Sequence, residues 1–98
     1  MSQSIAIQGV YRNNKKLTVG TQNPKNNRFF NKDEKIHLEK MLVEHLIPKQ
    51  EKFKNLYVTM HNDGEKILSS KFAVADLKLY SPKELTNELM ELFKFYSK

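Results

Sequence analysis

Residues 1–30 hold five cations, Arg12, Lys15, Lys16, Lys25 and Arg28, and no carboxylate. Ammonium and guanidinium groups bind phosphates by charge and displace condensed counterions. The amides interleaved with them, Asn13, Asn14, Gln22, Asn23, Asn26 and Asn27, can hydrogen-bond phosphates or base edges. Tyr11, Phe29 and Phe30 supply rings that would stack on bases wherever they are exposed. Together these form the electrostatic footprint of a polyanion binder, with Arg12, Lys15, Lys16, Lys25, Arg28 and Tyr11 as the candidate binding residues. The set lacks a recognised reading motif: there is no helix-turn-helix spacing, RNP-type aromatic motif, KH loop or zinc finger. Phe29 and Phe30 immediately precede a helical pattern, and anchoring the start of that helix is the simpler use of them.

The net charge of the 98-residue chain is +6, and its distribution along the sequence is uneven. The first thirty residues contribute five of those charges. The remainder sets twelve Lys against eleven Asp and Glu and contributes one. Counted along the chain, the excess therefore belongs to the N-terminal third, where it would attract nucleic acid or an acidic protein surface. A Lys- and Asn-rich composition also describes an ordinary solvated surface.

Other chemistry finds little support. His37 and His45 share one side of a helix but lie about two turns apart, whereas a helical metal pair needs spacing of three or four. His61 falls at the end of a strand pattern. Ser69 and Ser70 have no base placed by any motif, and the chain contains no GxSxG, P-loop or GxGxxG. Glu88 and Glu91 fall on the polar side of a helix and read as solvated charge. No catalytic residue, metal site or cofactor is expected, and the sequence is read as a non-enzymatic protein.

The elements that must position the cations can be read in order. Ninety-eight residues make one domain, which buries about 65% of its unfolded surface. With no Cys there are no disulfides or thiolate sites. No apolar run approaches the ~18 residues of a membrane helix, and MSQSIAIQGVYR lacks the pattern of a secretory signal, so a cytoplasmic protein with no membrane partner is expected. Ile5, Ile7 and Val10, then Leu17 and Val19, alternate about Asn13-Asn14, which predicts a β-hairpin, with Gly9 read as a bulge. Gln22–Arg28 reads as a loop. Asn31 and Glu34 form a capping box for a helix over 31–47, with Leu38, Leu42 and Leu46 inward and Met41, Val43 and Ile47 flanking. Pro48 stops or kinks it and leads into a charged connector with room for one helical turn. A second hairpin over 55–80 turns at Asn62-Asp63-Gly64. Ala73, Ala75, Leu77 and Leu79 carry on the alternation out of phase with Leu68, Ser70 and Phe72. Ser81 and Glu84 cap a closing helix over 82–96, with Leu85, Leu89, Leu92, Phe93 and Tyr96 as its stripe.

The predicted architecture is α+β, ββαββα, an antiparallel sheet with both helices on one face and the other face open. The two ββα units are related by an offset of fifty residues, with Asn31 matching Ser81, Glu34 matching Glu84 and Leu42 matching Leu92; ordinary turn and cap chemistry gives the same likeness without duplication. Two functions fit. One is association with nucleic acid or a nucleoprotein complex through the N-terminal hairpin. The other is regulation or inhibition of a protein partner, as in small proteins of mobile elements. An open sheet face or edge would also allow a homodimer.

Overall fold

The computed structural model describes residues 3–23 and 30–97. Alternating sequence gives four strands, β1 (Gln3–Tyr11), β2 (Lys16–Asn23), β3 (Phe53–Asn62) and β4 (Glu65–Phe72), in one antiparallel sheet of order β2-β1-β3-β4. Both hairpins close as their turn residues require. Asn14 adopts φ 70°, and Tyr11 N–H donates to the Lys15 carbonyl at 2.8 Å. Asp63 and Gly64 adopt φ 55° and 81°, the paired left-handed geometry of a two-residue hairpin.

The strands alternate between two faces. Ile5 and Ile7 of β1, Val19 of β2, and Leu56, Val58 and Met60 of β3 are buried on one face. They form a single core with Leu38, Leu42 and Leu46 from the first helical segment and Leu85, Leu89, Met90 and Phe93 from the last. Both helices therefore cover the same face, and the predicted α+β sandwich is the observed one. Gly9 lies where the Phe53 ring crosses the sheet: a Cβ there would meet the ring at 2.6 Å. Gly9 is not a bulge, because it pairs in register with both Leu17 and Leu56. The register shifts one residue later, between Val10 and Tyr11.

Helix α1 spans Lys32–Met41, and its capping box forms: Asn31 Oδ1 accepts from Glu34 N at 3.1 Å, while Glu34 Oε1 accepts from Asn31 N at 3.3 Å. The chain continues through a π turn, Leu42–Leu46, and a 3-10 segment, Ile47–Lys52, with Pro48 in the first turn of the latter. A spacing of four overshoots an α turn of about 3.6 residues, and the wider π turn offsets that drift. Leu38, Leu42 and Leu46 accordingly all stay fully buried. Val43 is 47% exposed, so the apolar face is narrower than its sequence pattern.

The second hairpin ends at Phe72, not residue 80. Val74–Leu79 forms a 3-10 segment. Three residues per turn bring Val74 and Leu77 to the same side, where both join the core, and leave Leu79 75% exposed. Helix α2 spans Pro82–Tyr96 under the predicted Ser81/Glu84 capping box, with Thr86 and Met90 added to its buried face and Tyr96 outside it. The predicted loop over residues 22–28 lies mostly outside the described residues.

Candidate nucleic-acid interface

The uncovered sheet face is polar, and its rows follow from the strand registers. Lys16, Val10 and Asn55 lie side by side at the end nearest the β1–β2 turn. The next row is Thr18, Gln8, Tyr57 and Lys71, and the one after it Gly20, Ala6, Thr59 and Ser69. Ser4 and His61 belong to the far end. Strands β1, β2 and β3 contain no Asp or Glu. The one carboxylate of β4, Glu65, pairs with Asn62 beside the β3–β4 turn.

Charge is thus segregated by layer as well as by end. Between residues 30 and 52, Lys32, Lys35, Lys40, Lys49 and Lys52 meet Asp33, Glu34, Glu39, Glu44 and Glu51. From 73 to 97, Lys78, Lys83 and Lys94 meet Asp76, Glu84, Glu88 and Glu91. The helical layer is balanced. The sheet and its turns carry Arg12, Lys15, Lys16, Lys54, Lys66 and Lys71 against Asp63 and Glu65. Those two acids sit about seven residues along β3 from the Lys16 row, roughly 20 Å. That exceeds the Debye length of ~8 Å in physiological salt, so they do little to offset the near end.

Of the candidates read from sequence, Arg12, Lys15 and Lys16 are exposed and adjacent at this basic end. Lys25 and Arg28 lie outside the described residues. Tyr11 is on the other side of the sheet, its ring 4.9 Å from that of Phe53, and is used in packing. Phe30 packs edge-on against Phe93 with centroids 4.9 Å apart, which anchors the start of α1. Sequence reasoning missed three residues that strand pairing delivers here. Lys54 Nζ donates to Asn14 Oδ1, bringing a β3 cation against the first turn. Lys71 stands beside Tyr57 on β4. Tyr57 is part-exposed near the centre of the face, in a shallow depression it shares with Gln8, Lys16, Lys54 and Asn55. Among the described residues none of Lys16, Lys54 and Lys71 forms an ion pair. The signal was present in residues 53–62, which contain Lys54 and no acid and place Tyr57, Thr59 and His61 on one face.

A second feature lies on the helical side. Between α2, β4 and the 3-10 segment lies an apolar groove lined by Leu68, Phe72, Leu79, Tyr80, Leu92 and Tyr96. Among the described residues no group of three or more His, Asp or Glu could hold a metal ion, and no helix is long and apolar enough to cross a membrane. Compared with protein-family models, curated proteins and solved structures, the chain matches none.

Proposed function

We propose that this is a non-enzymatic binding protein that associates with nucleic acid through the basic end of its open sheet face. The supporting observation is the face itself: Lys16, Lys54 and Lys71, none of them ion-paired among the described residues, with no carboxylate on that half of the sheet. Arg12 and Lys15 extend the patch into the adjoining turn. A titration of binding to a 20-nucleotide oligomer against salt tests it. Phosphate contacts through several lysines give a log–log slope of about −0.7 to −0.9 per contact. Affinity that is flat with salt, or no binding at low salt, rejects the proposal.

The apolar groove favours a second reading, a regulator that binds a protein partner. Leu79, Tyr80 and Tyr96 are exposed around it, and the outer edge of β4 leaves backbone groups for strand addition by such a partner or by a second copy of the chain. Nuclease separates the two: capture from lysate that survives nuclease and is lost in Leu79→Ser with Tyr96→Ser belongs to the groove.

A further inference from the structure

Resting on the nucleic-acid reading above, we infer that the open face takes a single-stranded nucleic acid, with Tyr57 as the platform on which a base stacks. Three observations favour a single strand over a duplex. The first is shape. A major groove about 12 Å wide admits a helix or a two-stranded ribbon. This face is four strands across, about 14 Å between its outer strands before side chains are added. Among the described residues no ribbon projects from it either: β1 is paired with β3 as far as Tyr11, and at that end only the short β1–β2 turn extends further.

The second is the placement of Tyr57. It sits on an inner strand, on the uncovered face, between Gln8 and Lys71 in register. Aromatic side chains on the helix-covered face, such as Tyr11 and Phe53, are held in packing contacts. Tyr57 is on the side that, among the described residues, no helix covers. A base laid on that ring has an amide on one side and an ammonium on the other. Gln8 is adaptable to any base edge, and Gln8 Nε2 already reaches Thr18 Oγ1 at 3.4 Å, so a polar ladder continues toward β2.

The third is charge complementarity. Lys16 and Lys54 lie on one side of Tyr57 along the sheet and Lys71 lies beside it on the next strand. A backbone crossing the strands would meet a cation on each side of the stacked base. Cations on the same sheet face as an aromatic ring suit a flexible strand draped across a stacking platform.

The test uses fluorescence anisotropy with the full chain and three probes: U20, dT20, and a 20-bp duplex. Tyr57→Ala and Tyr57→Phe are compared with the parent protein at one salt concentration. The expected result is preference for at least one single-stranded probe over the duplex, about tenfold weaker binding in Tyr57→Ala, and near-parental binding in Tyr57→Phe, which keeps the ring. Circular dichroism confirms that each variant is folded; should Tyr57→Ala unfold, Tyr57→Leu provides the same comparison, and the part of the parent's tyrosine quenching by U20 and dT20 that Tyr57→Phe lacks reports contact with that ring. Duplex binding as tight as single-strand binding, or full affinity in a folded Tyr57→Ala or Tyr57→Leu, overturns the single-strand assignment while leaving the polyanion site standing. No binding of any probe by the parent protein overturns both.

Discussion

Glu84 closes the N-terminus of α2 and is fully exposed. The Ser81 backbone N–H donates to its Oε1 at 3.0 Å, the Ser81 hydroxyl adds a second hydrogen bond, and these hold its carboxyl below the ordinary carboxylate range. A group with a depressed folded value stabilises the fold above its unfolded value, and that contribution is lost as pH falls through the carboxylate range. The stability difference between the parent and Glu84→Gln, measured by urea unfolding, should therefore be present at neutral pH and shrink on acidification. A difference that is constant with pH would mean the carboxylate is not engaged. Ser81→Ala should cost about 1 kcal/mol at neutral pH through loss of the reciprocal cap. Glycines give a second residue-scale test. A Cβ at Gly20 would fall 2.2 Å from the backbone carbonyl oxygen of Ile5, whereas one at Gly9 meets the Phe53 ring, which has some freedom to tilt. Gly20→Ala should therefore lower the unfolding midpoint more than Gly9→Ala, and overpacking of this kind costs about 1–3 kcal/mol. The opposite order would place the β1–β2 register elsewhere.

Caps and turns were legible in the sequence because each is a local chemical device. Asn31 with Glu34, Ser81 with Glu84, and Asp63-Gly64 need only neighbours within four residues, and all three form. The offset of fifty is also visible in the fold: Asn14 and Gly64 both adopt positive φ in their turns, and α1 begins at Lys32 and α2 at Pro82. It does not extend to the core. Ile5 and Ile7 face the helices, while Asn55 and Tyr57, fifty residues on, face the open side. The two units are alike in their punctuation and differ in their packing. Val74–Leu79 was misread because a short apolar run fits a strand or a 3-10 turn equally well, and only the end of the sheet at Phe72 decides between them. The two geometries differ at Leu79, inward in a strand and exposed here. Leu79→Ala should change stability by less than about 0.5 kcal/mol, against about 2–5 kcal/mol for Leu89→Ala, which empties a site 3% exposed in the core. Comparable losses at the two positions would restore the strand.

At the scale of the whole molecule, a linear charge count and a folded charge map give different sites. Counting along the chain confined the excess to residues 1–30, because the twelve lysines that follow nearly match eleven acids. Folding does not keep those lysines near those acids. Eight of them, from Lys32 to Lys52 and from Lys78 to Lys94, stay in the balanced helical layer, while Lys54 and Lys71 move to the sheet and join Lys16 on a face without carboxylates. The near cancellation is a property of the sum and not of the field at that face. Three double variants, each removing two charges, separate the possibilities: Lys54→Ala with Lys71→Ala, Lys15→Ala with Lys16→Ala, and Lys83→Ala with Lys94→Ala. All six side chains are exposed, so each substitution should shift stability by less than about 0.5 kcal/mol. The first two pairs should each weaken oligonucleotide binding and lower the salt slope by up to about two contacts, and the helical pair should leave the slope nearly unchanged. If only the Lys15 and Lys16 pair acts, the site is confined to the turn and the adjoining start of β2, and Lys54 and Lys71 are bystanders. If the Lys83 and Lys94 pair acts as strongly as the others, binding follows net charge and no surface of this fold is set apart for it.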